Sequence, residues 1–177
     1  AIYWKKFLPI DWNFYLKILI GFLPSAIVGL LIKDRIDQVL SSVSIVAWAL
    51  LIGGIILIIM DRKAPTLTRK QTPLQIQDLS IKYCLVIGLF QCFAFIPGVS
   101  RSAATIIGGL LLGMEKRNAT EFSFFLALPT LAGATLLKTI KIYPTIEHSQ
   151  IVSLLLGLTL SFFFAILAIS SFVALAS

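Results

Sequence analysis

From Ile151 to Ala176 the chain carries no charged residue, and an uninterrupted apolar run of that length has one natural environment. The hydrocarbon core of a bilayer is crossed by about 20 consecutive apolar residues in helical form. Helix is forced there because lipid offers no partner for backbone N–H and C=O groups. Three further runs share this character. Val43 to Met60 is uncharged, Phe14 to Ile32 contains only Lys17, and Ala119 to Leu137 contains only Glu121. Lys17 can extend its ammonium to the interface, and Pro24 and Pro129 predict kinks. Hydrophobic residues make up 58% of the chain, with a mean hydropathy of +0.97. A soluble domain is nearer 45–50% apolar. These features predict an all-α, polytopic membrane helix bundle. It forms a single integral membrane domain over 1–177, with spans near 14–32, 43–60, 119–137 and 151–176.

One apolar stretch breaks this pattern. Tyr83 to Ile96 and Ala103 to Met114 are uncharged but too short to cross, and Pro97-Gly98-Val-Ser-Arg-Ser102 lies between them. The reading is a re-entrant pair of half-helices near 81–114, meeting at a buried turn. Such a turn is tolerated only inside protein or beside a water-filled cavity. An arginine at that depth is costly and needs an anionic partner. A helix starting near Ser102 aims unpaired N–H groups and the positive end of its dipole at the turn. Ser100, Ser102 and Thr105 add hydroxyls, Arg101 adds a planar fork suited to phosphate oxygens, and Gly98 lets the backbone turn. A phosphate or diphosphate is expected to bind there. The alternative is a kinked helix whose arginine pairs with a carboxylate elsewhere in the bundle.

The remaining polar residues bound the chemistry. The net charge of +7 is spread over short loops, as retention of cytoplasmic loops requires, so nucleic acid is not expected as a partner. If the broken pair enters and leaves on one side, Lys5, Lys6, Arg62, Lys63, Arg69, Lys70, Lys116 and Arg117 share that side. The smaller group, Lys33, Arg35, Lys138 and Lys141, lies opposite, which makes the first side cytoplasmic. Lys33 to Asp37 and Lys138 to Gln150 read as loops. Asp61 to Asp78 reads as a long polar segment whose Pro65 and Pro73 argue against a continuous helix. Gly53-Gly54 and the small-xxx-small patterns at Ala104/Gly108 and Gly109/Gly113 predict close helix contacts. Cys84 and Cys92 read as packing residues, His148 as solvated, and no metal-ligand spacing is present. Ile2 to Phe7 read as the end of a span with a basic, aromatic border, so the chain is expected to start inside a larger whole.

Hydrolysis of a lipid diphosphate needs a clamp, a nucleophile or activated water, and an acid/base group. Arg101, Ser100, Ser102 and the helix N-terminus form the clamp, usually the largest contribution. Ser100 or Ser102 could attack only with a base in reach. Glu121 is the candidate, and its structural alternative is a first-turn glutamate paired with Lys116 or Arg117. Gln91 can bond a phosphate or the loop but cannot act as a base.

Gln91-Cys-Phe-Ala-Phe-Ile-Pro-Gly-Val-Ser-Arg-Ser-Ala-Ala-Thr-Ile-Ile-Gly-Gly109, followed by Glu121-Phe-Ser-Phe-Phe-Leu-Ala-Leu-Pro129, resembles the second signature of the bacterial undecaprenyl-diphosphate phosphatases of the bacitracin-resistance type. A weaker match covers nearly the whole chain, including Gly21-Phe-Leu-Pro-Ser-Ala; Ala103 stands where the family usually has glycine. The resemblance implies a multi-pass hydrolase of the bacterial plasma membrane that converts undecaprenyl diphosphate to the monophosphate, recycling the carrier for cell-wall synthesis. It implies inverted repeats and a diphosphate bound by Arg101 with support from Ser100 and Ser102; together with the local chemistry of the turn, the catalytic candidates are Arg101 and Ser100 and the substrate-contact candidates are Gln91, Gly98, Ser100, Arg101, Ser102 and Thr105. It also implies dependence on magnesium or calcium, although no carboxylate cluster is present to hold an ion. The expected partners are a polyprenyl diphosphate lipid, the bilayer and a second copy in a homodimer. The family's first signature, Glu-x-x-x-Glu leading to Ser-x-Thr-Gly-His, does not occur in this sequence, so the chain is expected to be the core and second-repeat portion of such an enzyme. Two other readings compete: a transporter or flippase of a phosphorylated lipid or other anion, which needs the clamp alone, and a non-catalytic subunit completed by another chain.

Overall fold

Apolar runs become helices wherever each backbone group can pair within its own segment. A computed structural model describes residues 12–40, 43–69, 74 and 76–176, and the helices there are α1 (Trp12–Leu40), α2 (Val43–Arg69), α3 (Ile81–Cys92), α4 (Arg101–Leu111), α5 (Lys116–Ile142) and α6 (His148–Ala176). Three short 3-10 turns, Ile76–Asp78, Phe93–Phe95 and Tyr143–Thr145, join them. Among the described residues, four stretches are long and apolar enough to cross a membrane: Trp12–Ile32, Val43–Met60, Lys116–Thr145 and Gln150–Ala168. The chain is a polytopic helical membrane protein. At about 1.5 Å per residue, α3 and α4 reach only about 18 Å and 17 Å, well short of the roughly 30 Å hydrocarbon core.

Several helices outrun the lengths expected of them. α1 continues through Lys33–Asp37 to Leu40, and α5 continues past Lys138 to Ile142. Neither polar stretch contains glycine or proline, so polarity there marks the bilayer border, not the helix end. α2 continues through Pro65 to Arg69. Proline frees one carbonyl a turn earlier, and beyond the apolar window that carbonyl can bond water. α1 and α5 likewise run unbroken through Pro24 and Pro129. α5 begins at Lys116, which moves Glu121 from the first turn to the second. Pro73 and the segment Ile2 to Phe7 lie outside the described residues.

The chain divides into two compact units, Ala1–Ala134 and Thr135–Ser177. In the first unit, α1, α3 and α5 meet in a core containing Ile18, Cys84, Ile87, Phe122 and Leu126, all buried. Phe14 of α1 packs edge-on against Phe125 of α5, with ring centroids 4.7 Å apart. α1 and α3 cross where Gly88 faces Gly21. A Cβ on Gly88 would collide with the Gly21 carbonyl oxygen and come within 2.9 Å of the Pro24 ring. We predict that Gly88→Ala destabilises the protein by about 1–3 kcal/mol, the usual cost of overpacking, read as a lower unfolding temperature in detergent. Gly53 and Gly54 behave otherwise: a Cβ on either meets nothing within 4 Å, so the close contact expected there is absent among the described residues. Gly113, expected in a helix–helix stripe, instead ends α4. It has φ +89, its N–H bonds the Leu110 carbonyl, and the Met114 N–H bonds the Gly109 carbonyl. That is a Schellman closure, in which a left-handed glycine satisfies the last carbonyls of a helix.

The second unit holds the end of α5, the Tyr143–Thr145 turn and α6. The apolar residues of α6 are exposed along Ile151–Leu167. A helix apolar on every side is stable with that surface in lipid.

Candidate anion site at the break between α3 and α4

α3 passes through the Phe93–Phe95 turn into extended Ile96, and Val99 N–H then bonds the Ile96 carbonyl at 3.0 Å. Pro97 and Gly98 occupy the two central positions of this tight turn, and Gly98 has φ +94. This is the type II pattern, with proline supplying the first central dihedral and glycine the positive one. Ser100 follows as the N-cap of α4. Its hydroxyl accepts from the Ala103 N–H at 3.4 Å, and its carbonyl accepts from the Ala104 N–H at 3.0 Å. α4 thus starts one residue before the Ser102 expected from the sequence. The N–H groups of Arg101 and Ser102 fall in the first turn, where a helix offers them no internal acceptor.

Around this N-terminus the Ser100 and Ser102 hydroxyls lie 3.2 Å apart, and both residues are exposed. Arg101 is half-buried and donates from Nη1 to the Ser123 carbonyl of α5 at 3.2 Å. Among the described residues its side chain meets the Ser123 carbonyl rather than a carboxylate. One donor is spent on positioning the guanidinium, and its remaining donors can meet an anion. Backbone N–H groups, two hydroxyls and a held guanidinium at a helix N-terminus are the kinds of donor that can bind an anion.

Other expected site residues are placed differently. Thr105 is fully buried; its hydroxyl lies 3.1 Å from the Arg101 carbonyl, 3.0 Å from the Ser102 carbonyl and 2.7 Å from Ser123 Oγ. It joins α4 to α5 directly below the turn. Glu121 is half-buried on α5. It precedes Ser123 by two positions, about 200° around the helix, so its side chain leaves a different face from the one that meets Thr105. Gln91 is buried within the bundle. Its Nε2 donates to Ser25 Oγ at 2.6 Å and to Thr130 Oγ1 at 3.1 Å, bridging α1, α3 and α5.

Ser25 and Thr130 were not anticipated from the sequence. Each directly follows a proline inside a helix, and each returns a hydroxyl to its own helix: Ser25 to the Phe22 carbonyl at 2.9 Å, Thr130 to the Leu126 carbonyl at 2.6 Å. A polar residue beside an intramembrane proline was the available signal, since such residues are costly and find partners. Replacing Gln91 with leucine removes both bridges while keeping the bulk. We predict a loss of about 0.6–2 kcal/mol, the range for hydrogen bonds between membrane helices, measured by thermal unfolding in detergent.

A membrane-embedded helical protein with two short helices meeting at a tight turn is the class that the fold defines. The sequence model described as "Bacitracin resistance protein BacA" matches residues 2–177, and the chain belongs to that family. It is 51% identical over 177 residues to an undecaprenyl-diphosphatase of Bdellovibrio bacteriovorus, an alignment covering 100% of this chain and 66% of the relative. An undecaprenyl-diphosphatase of Flavobacterium johnsoniae is 42% identical over 98% of this chain and 65% of its own length. An undecaprenyl-diphosphatase 2 of Shewanella oneidensis is 37% identical over 93% of this chain and 61% of its own length. The chain therefore spans just under two thirds of the length of these relatives.

Proposed function

We propose that this chain acts in hydrolysis of undecaprenyl diphosphate to undecaprenyl phosphate and orthophosphate, in the inner membrane of a bacterium, recycling the lipid carrier for cell-wall synthesis. The observation that carries the reading is Arg101. It is half-buried, held by the Ser123 carbonyl, and set at the N-terminus of α4 beside the paired hydroxyls of Ser100 and Ser102. The family membership and the names of the relatives supply the reaction. In that reaction water adds to the terminal phosphorus and the bond to the bridging oxygen breaks. Negative charge gathers on the oxygens that the guanidinium, the hydroxyls and the helix N–H groups face, and donors placed in advance stabilise it.

Ser100 is the nucleophile candidate, and among the described residues its hydroxyl partners are Ser102 and the Ala103 N–H. The same fact favours a second reading, movement of a phosphorylated lipid without hydrolysis, which needs the clamp alone. A divalent ion is part of the proposal only through resemblance. The described residues hold no group of three or more His, Cys, Asp or Glu that could ligate one, so no step is routed through it. The deciding experiment is orthophosphate release from a polyprenyl diphosphate by the folded chain in detergent, run beside lipid movement in vesicles. Release supports hydrolysis. Movement with no release supports the second reading and removes the first.

A further inference from the structure

A second feature of the first unit lies apart from the α3–α4 turn. A cavity of about 450 Å³ opens between α2, the later turns of α4 and the start of α5. Leu57 and Ile58 form one wall and Ile106 and Leu110 the other, with Arg62 and Lys116 also lining it. Its placement in the bilayer follows from the sequence. Arg62 lies just beyond the apolar window Val43–Met60, and Lys116 opens the window Lys116–Thr145. Both cations therefore stand at one membrane border, and the apolar walls run from them towards the interior. Arg62 and Lys116 are exposed. Lys116 also takes part in contacts within the chain, so a ligand would share it.

We infer that this groove binds an anionic diacyl phospholipid, its phosphate between Arg62 and Lys116 and one acyl chain along the Leu57–Leu110 walls. Charge complementarity selects the occupant. A zwitterionic lipid brings its own ammonium to the same border and gains nothing from two cations. An anionic headgroup is drawn in, and basic pockets between membrane helices are a recurring form of such recognition. The polyprenyl chain of a substrate is a weaker candidate: on the proposed function its diphosphate sits at Arg101, and nothing in such a tail uses Arg62 or Lys116.

The test is native mass spectrometry of the purified chain with phosphatidylglycerol and phosphatidylcholine of identical acyl chains at equal concentration. Phosphatidylglycerol is expected to be retained preferentially. Arg62→Gln and Lys116→Gln are each expected to reduce that preference about fivefold, and the double variant to abolish it. Leu57→Trp, which fills one wall and leaves both cations, is expected to lower retention of phosphatidylglycerol. Thermal unfolding confirms that each variant is folded, and Leu57→Trp keeps the proposal open to refutation if a charge variant is not. Equal retention of the two lipids by the unaltered chain overturns the proposal. So does an undiminished preference in the folded double variant, or displacement of phosphatidylglycerol by equimolar polyprenyl phosphate, which would make the groove a path for the substrate tail.

Discussion

Replacing Arg101 with alanine is expected to lower orthophosphate release by about 10²–10³-fold, the usual cost of removing one donor aimed at developing negative charge. The unfolding temperature should change little. The native side chain makes one hydrogen bond, to the Ser123 carbonyl, and a charged bond of that kind is worth about 1.5–3 kcal/mol. Removing a half-buried charge recovers part of that cost. A purely structural arginine predicts the reverse: a large fall in stability and a loss of activity only in step with unfolding. Arg101→Lys separates charge from geometry. Lysine keeps the charge but loses the planar fork and cannot at once hold the Ser123 carbonyl and grip two phosphate oxygens. An intermediate loss is expected, with the deficit in turnover rather than in lipid retention. Retained activity in the folded alanine variant would exclude Arg101 from the site.

The spans and the break were legible in the sequence because they follow from local chemistry. Charge-free length predicts crossing, and Pro97-Gly98 predicts a break with a helix starting near Ser102; the type II turn and the Ser100 cap appear only in the structure. What could not be read depends on partners far along the chain. Gln91 resembles a loop or phosphate ligand until Ser25, 66 residues away, is seen against it. Thr105 resembles a donor for the turn until Ser123, 18 residues on, takes its hydroxyl. Glu121 resembles a base because it is a carboxylate near the clamp in sequence, and its reach depends on which face of α5 it leaves, which local sequence does not fix. The helix ends were misjudged for a different reason. At Lys33–Asp37 and Lys138 the polar residues mark where lipid stops, and nothing in them stops a helix. Gly53-Gly54 shows the same limit, since glycine permits a close contact but does not supply the neighbour.

The turn itself gives the largest expected effect on stability. Gly98→Ala is predicted to destabilise the protein by about 2–5 kcal/mol, from two separate costs. At φ +94 an L-residue meets its own carbonyl, which costs about 1–2 kcal/mol. The new Cβ also lies 2.7 Å from the Val46 carbonyl oxygen and 3.1 Å from Ala49 Cβ, so α2 must yield, at about 1–3 kcal/mol. Two companion variants divide these terms. Gly98→Asn tolerates the left-handed backbone better than alanine but brings more atoms against α2. If the dihedral dominates, asparagine is the milder change; if the contact dominates, it is the harsher. Adding Ala49→Gly to Gly98→Ala removes the methyl contact but not the Val46 carbonyl, which is backbone. Rescue should therefore be small, and full rescue would show that the Val46 approach is not a constraint. The functional consequence follows from Ser100, two residues on, which caps α4. If the turn shifts to admit a methyl group, the cap and the Arg101 N–H group move with it. Orthophosphate release should then fall even in the fraction that remains folded, measured per folded molecule against the unaltered chain at the same temperature.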